Sequence, residues 1–169
     1  MSILSPQAVT RLWDEHRNAL VLYARQWCDA PEDVVQEAFL LLVRQVVAPD
    51  NPVGWMYRVV RNRAINAARS RGRQSRRETA AAARGEPWFE FAGGDRLDAA
   101  AATDALKHLP IEQREAIVAR LWGGLSFEEI ARISEMSLSK VYRSYQRGLA
   151  ALRERLDASC SGKKTKAKT

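Results

Sequence analysis

Apolar side chains at Val9, Trp13, Ala19, Leu20, Tyr23 and Trp27 recur at the three-to-four spacing of one helical face, with His16 on the same line. A second helix is expected from Pro31, because proline fits a first turn and Glu32 and Asp33 place carboxylates at its positive end. Val34, Val35, Ala38, Phe39, Leu42, Val43 and Val46 carry its apolar stripe towards Pro49. The turn Pro49-Asp-Asn-Pro52 separates it from a third helix, Gly54 to about Arg73, which has no proline and only the late Gly72. Beyond Thr79 the chain becomes rich in Ala, Gly, Glu and Asp, and Gly85, Pro87, Gly93 and Gly94 interrupt any long helix, so 79–103 reads as a linker. Its Trp88-Phe-Glu-Phe91 cluster is too apolar for a plain solvated tether and is expected to dock on a domain or a partner.

The last segment predicts four short helices, starting near Thr103, at Glu112 to Trp122, at Ser126 to Ile133 and at Ser137 to about Leu156, with breaks at Leu109-Pro110 and Gly123-Gly124. Ser126 and Glu129 have the spacing of a capping box. The ending SGKKTKAKT is polar and basic and is expected to be a disordered tail. Nothing alternates with period two. The expected fold class is therefore all-α, with two small helical domains joined by a flexible linker and bounded at 8–78, 79–103 and 104–157, then a tail at 158–169.

Composition narrows the class. Of 169 residues 46% are hydrophobic, enough for a core. Cys28 and Cys160 lie far apart with only His16 and His108 beside them, so neither a disulfide framework nor a zinc site of ordinary spacing is expected, and no metal or cofactor is assigned. No run approaches the roughly 20 apolar residues of a membrane span, and a cytoplasmic location is expected. The net charge of +7 is unevenly placed. Residues 1–50 carry −3, 51–78 carry +7, 79–104 carry −3, 105–134 are neutral and 135–169 carry +6. Two separated basic blocks suit two contacts along one polyanion, with nucleic acid the natural partner.

Within the first block, Asn51 to Arg77 hold eight arginines and no acid. On a helix, Trp55, Arg58, Asn62, Asn66, Arg69 and Arg73 share one side, and Met56, Val60, Ala64 and Ala67 take the other. Cations for phosphates, an aromatic for stacking and amides for base edges make a surface able to hold single-stranded or opened DNA. The bland alternative is an arginine-rich solvated helix with Trp55 in the core. In the second block, Leu125 to Leu149 fit a helix-turn-helix. Phe127, Ile130 and Ala131 face inward, Val141, Tyr145 and Leu149 anchor the second helix, and Ser137, Ser139, Lys140, Arg143, Ser144 and Arg147 face a groove. An ordinary helical hairpin is the competing reading.

The runs PEDVVQEAFLLLV (31–43), NPVGWMYRVVRNRAINAARSRGR (51–73) and LPIEQREAIVARLWGGLSFEEIA (109–131), in this order, resemble an extracytoplasmic-function RNA polymerase sigma factor of the sigma-70 family. That resemblance implies a region 2 domain over 8–78 and a region 4 domain over 104–157. It implies that Asp33, Gln36, Glu37 and Phe39 dock on the β′ clamp of core RNA polymerase and that residues near the helix-turn-helix approach the β-flap. It further implies that the loop 48–53, with Asn51, takes a flipped base of the minus-ten element beside Asn62, while Trp55, Arg58, Arg61 and Arg69 grip the opened strand. Ser137, Ser139, Lys140, Arg143 and Arg147 would read the minus-thirty-five element. Promoter DNA, core polymerase and an anti-sigma factor are the implied partners, and no catalytic chemistry is implied. The chain departs from the family pattern at the turn, where Ser134-Glu135-Met136 stands for the usual Leu-Gly-Ile, so Glu135 is expected to take a conformation that favours glycine or the turn must differ.

Two rival classes remain at this level. A stand-alone helix-turn-helix regulator would bind duplex DNA without polymerase, although the arginine face and linker give it no dimerisation domain. A DNA-acting enzyme would need clustered carboxylates or a supported serine nucleophile, which the sequence does not display.

Overall fold

In the computed structural model, residues 4–75 and 104–164 are described, with side chains through Gly72 in the first stretch and through Ala158 in the second. All regular structure among them is helical: α1 (Pro6–Ala24), α2 (Pro31–Val43), α3 (Pro52–Ser75), α4 (104–107), α5 (Ile111–Leu121), α6 (Phe127–Ser134) and α7 (Leu138–Lys164). The expected linker at 79–103, its Trp88–Phe91 cluster, and Lys166 and Lys168 lie outside the described residues. α7 stays helical through Lys164, into the segment expected to be a tail.

Local chemistry marks the helix starts, with α1 beginning at Pro6 and α3 at Pro52, slightly ahead of the expected stripe at Val9 and start at Gly54. Ser5 caps α1 by accepting from the Ala8 amide at 3.2 Å, with Pro6 in the first turn. Glu32 and Asp33 lie in the first turn of α2 behind Pro31, where the helix dipole favours negative charge. Asn51 caps α3, its Oδ1 accepting from the Gly54 amide at 2.9 Å. In α6 the capping box closes both ways: the Ser126 hydroxyl accepts from the Glu129 amide at 3.1 Å, and Glu129 Oε2 accepts from the Ser126 amide at 2.7 Å. The turn between α6 and α7 passes through Glu135 at φ 58° and ψ 30°, the left-handed conformation anticipated from its sequence position.

Packing follows the apolar stripes. Leu20, Leu22, Tyr23, Val35, Ala38, Leu42, Met56, Val60 and Ala64 bring α1, α2 and α3 together. On the other side Leu106, Leu109, Ile117 and Leu152 join α4, α5 and α7. The two regions do not stand apart as separate beads. Ala116, Val118, Ala119, Leu125, Ile130 and Ile133 of region 4 belong to the same continuous buried cluster as the region 2 core. α1 packs on α5 and α3 packs on α6, so the regions meet along a seam.

Two stability predictions follow from the helix ends. Glu135→Gly removes a side chain from a left-handed position and is expected to stabilise the chain by about 0.5–1 kcal/mol, seen as a rise of roughly 2–4 °C in the thermal midpoint. The hydrogen bond from the Ser126 amide, which outweighs partial burial, and a further one from Asn51 hold the Glu129 carboxyl below its ordinary range. Its contribution is therefore full above the ordinary carboxylate range and is lost as pH falls through and below it. The thermal midpoint of Glu129→Gln, whose amide does not titrate, is expected to fall less steeply than that of the wild type between about pH 5 and pH 3.

Candidate nucleic-acid and partner interfaces

α3 separates its faces largely as its spacing requires. Arg58, Asn62, Asn66 and Arg69 are exposed, Trp55 is half-buried, and Met56, Val60 and Ala64 are buried. Ala67, expected on the covered side, is exposed, because the core contribution of α3 ends at Ala64. The arginines are not equivalent. Arg63 pairs with Glu37 of α2 and Arg71 pairs with Asp29, both at the surface. Arg61, expected to grip DNA, is instead turned into the seam. The side chain of Arg73 lies outside the described set.

The loop before α3 faces region 4 directly. While its Oδ1 caps α3, Asn51 Nδ2 donates to Glu129 Oε1 of α6. A cavity of about 320 Å³ opens beside this contact, with Asn51, Trp55 and Arg58 on one wall and Glu129, Arg132 and Ile133 on the other. Three of the expected minus-ten residues, Asn51, Trp55 and Arg58, thus look onto the supporting helix α6, whereas Asn62 and Arg69 do not line this cavity.

Deeper in the seam sits Glu115, 3% exposed, on the face of α5 that meets region 2. Its Oε1 accepts from the Tyr23 hydroxyl of α1 at 2.7 Å and from Arg61 Nε of α3 at 2.7 Å. Arg61 Nη2 reaches the Ser134 carbonyl at 3.4 Å, and its guanidinium lies 5.7 Å from the centre of the Trp27 ring. Burial pushes the Tyr23 hydroxyl well above its ordinary range, and the neighbouring Glu115 charge pushes it further. Burial alone would lower Arg61, but the Glu115 hydrogen bond and charge carry it above its ordinary value, so the guanidinium stays charged. Beside it, Tyr57 is fully buried, and its hydroxyl has no hydrogen-bond partner among the described residues. Gly123 approaches this ring so closely that a Cβ there would lie 2.7 Å from the Tyr57 hydroxyl. Sequence reasoning missed Glu115, Tyr57 and the seam role of Arg61. The available signal was a carboxylate opening the apolar run Ala116-Ile-Val-Ala119, on the face shared with Ala119.

α1 and α2 leave an apolar groove on the opposite flank, lined by Val9, Trp13, Gln36, Phe39, Leu40 and Val43. Trp13 and Phe39 meet edge-on at 4.8 Å on its floor. Phe39 is 5% exposed, whereas Leu40 and Val43 are more than half exposed, and Val46 and Val47 continue the patch. Asp33, Gln36 and Glu37 stand exposed on the same helix.

The helix-turn-helix is formed by α6 and α7. Ser137 caps α7 by accepting from the Lys140 amide at 3.3 Å. Ser139, Lys140, Arg143 and Arg147 are exposed, with Lys140 Nζ donating to Glu112 of α5 at 2.6 Å and Arg143 Nε to the Ser139 carbonyl at 3.3 Å. Ser144, expected to face a groove, is buried, because it falls one helical turn from Val141 on the packed side. Among the described residues no cluster of metal-ligating side chains occurs and no helix is long and apolar enough to cross a membrane.

Residues 12–74 match the family description Sigma-70 region 2, and residues 99–152 match Sigma-70, region 4. No curated protein matches the chain. Among solved structures, the fold is similar to the sigma factor RpoE from Bartonella quintana, solved in complex with the anti-sigma factor NepR, at 23% identity over 90% of this chain and 98% of that one, with a TM-score of 0.70. It is also similar to CnrH, solved in complex with the cytosolic domain of CnrY, at 26% identity over 91% of this chain and 90% of that one, with a TM-score of 0.61. With both family regions in order on one all-helical chain, the protein belongs to the sigma-70 family of non-enzymatic transcription initiation factors, in its extracytoplasmic-function form.

Proposed function

We propose that this chain binds core RNA polymerase and directs it to promoters, region 2 opening and reading the minus-ten element and region 4 reading the minus-thirty-five element. The observation that carries the reading is the presence of three chemically distinct surfaces on one chain. The groove of Trp13, Phe39, Leu40 and Val43, rimmed by Asp33, Gln36 and Glu37, offers apolar burial with polar orientation to the clamp of the polymerase. The exposed side of α3, with Trp55, Arg58, Asn62 and Arg69 spaced along it, offers a stacking ring, phosphate contacts and amide groups to an opened strand. The start of α7, with Ser137, Ser139, Lys140, Arg143 and Arg147, offers hydroxyls and cations to a major groove.

Regulation by an anti-sigma factor belongs to the same reading. Of the similar structures, RpoE is a sigma factor held by the anti-sigma factor NepR, and CnrH is held by the cytosolic domain of CnrY. An exposed apolar groove needed for polymerase is a surface that a competing helix would cover. Action on polymerase and chromosomal DNA places the chain in the cytoplasm.

The test combines purified chain, core polymerase and promoter DNA carrying a pre-opened minus-ten bubble, each component being omitted in turn. Specific complex formation and transcription are expected only with polymerase present. In that complex Arg143→Ala is expected to weaken dependence on the minus-thirty-five sequence by about 10-fold, the value of a lost base contact, with the bubble contact retained. Asn62→Ala is expected to do the converse. Tight binding of the chain alone to a duplex site, unaffected by polymerase, would overturn the reading in favour of a stand-alone regulator.

A further inference from the structure

We propose that the free chain is held closed by an ionic latch across the seam, Glu115 of region 4 gripped by Tyr23 and Arg61 of region 2, and that the latch must open before both promoter elements can be engaged. The proposal rests on the function argued above for its consequence, but the latch itself is a property of the free chain.

Three observations carry it. First, closure occupies groups expected to bind DNA: Asn51 donates to Glu129, and Arg61 is committed to Glu115 and the Ser134 carbonyl. Second, closure is geometrically incompatible with the extended task. Elements centred near minus ten and minus thirty-five lie some 25 base pairs apart, roughly 85 Å along duplex DNA. A compact fold of this size has a radius of gyration of only about 15 Å. The chain between the regions is long enough to cover that distance at about 3.3 Å per residue. Third, the seam is built to part. An ion pair pays desolvation on closing and regains hydration of both partners on opening, so it selects one register without making it irreversible. The buried Tyr57 hydroxyl, unpaired among the described residues, is a standing cost of the closed form that water relieves once the regions separate.

The latch also has an occupancy logic. A chain whose competent state is a minor population binds its partner more weakly in proportion to that population. Polymerase and DNA, by binding the open form, shift the chain out of closure, while free chain keeps Asn51 and Arg61 engaged with region 4.

Small-angle X-ray scattering on the full free chain, with helicity followed by circular dichroism, tests the latch without polymerase. The wild type is expected to scatter as a compact particle. Glu115→Gln and Tyr23→Phe, made on opposite sides of the seam, are each expected to raise the radius of gyration by roughly a third while keeping wild-type helicity. Tyr57→Phe, which deletes the unpaired hydroxyl, is expected to remain compact. In the polymerase titration the two opening variants are expected to bind core enzyme about 5-fold more tightly. If Glu115→Gln unfolds region 4, Tyr23→Phe decides, since it changes one oxygen in region 2. A wild type that is already extended, or two seam variants that scatter like a compact wild type, would overturn the latch. Opening by Tyr57→Phe would do the same. Because the scattering and helicity readouts need no polymerase, failure of the latch is distinguishable from failure of the polymerase reading.

Discussion

A buried carboxylate must have partners, and among the described residues Glu115 finds Tyr23 and Arg61 in the other half of the chain. At 3% exposure its charge is sustained by the Tyr23 hydroxyl and the Arg61 guanidinium, both at 2.7 Å. Three helices are thereby tied at one oxygen, α5 to α1 and α3, and the neighbouring contacts take their register from it. Tyr23 stands edge-on to Trp27 and Tyr57, Gly123 closes over Tyr57, and Asn51 meets Glu129 further along. The apolar surface around this point, Ala116, Ala119, Ile130 and Ile133 against the region 2 core, supplies the drive to associate. The ion pair contributes little net energy of its own after desolvation, but it allows one arrangement of that surface and penalises the others.

The same helix, α3, serves two masters because its residues divide by angle. Met56, Val60 and Ala64 belong to the core of region 2, Tyr57 and Arg61 to the seam, and Arg58, Asn62, Asn66 and Arg69 to the outside. Basic charge alone is therefore a poor guide to what each arginine does. Arg63 and Arg71 are paired with surface acids, where water screens the attraction and exchange with a phosphate is cheap. Arg61 is paired where water is excluded, and its release requires the whole seam to move.

Periodicity made the helices legible, and local chemistry made two starts legible, Pro31 and the Ser126 capping box, whereas the caps by Ser5 and Asn51 emerged only in the structure. The helix-turn-helix and the strain at Glu135 were equally readable, since both depend on neighbours in sequence. The seam was not readable, because a repeat identifies which side of a helix is apolar and says nothing of what stands opposite. Arg61 lies on an otherwise DNA-like helix and Glu115 on an otherwise ordinary amphipathic one, and each acquires its role only when α3 and α5 approach across more than fifty residues of chain. Ser144 illustrates the same limit on a smaller scale, its hydroxyl suggesting a groove contact while its angle beside Val141 assigns it to packing.

Closure treats the two DNA surfaces unequally. It is α6, the supporting helix, that packs on α3, while Arg143 and Arg147 on α7 remain exposed. Closure engages Asn51 and Arg61 of the surface proposed to hold an opened strand and leaves its Arg58, Asn62 and Arg69 exposed, whereas among the described residues none named for reading an intact duplex is held by region 2. Duplex contacts alone supply phosphate attraction that any DNA satisfies, whereas strand capture requires unpaired bases that free duplex does not present. A fold that keeps Asn51 and Arg61 engaged until polymerase separates the regions loses nothing in duplex search. It leaves the strand-opening surface incomplete, without Asn51 and Arg61, towards single-stranded nucleic acid that a fully free basic, aromatic face would bind indiscriminately.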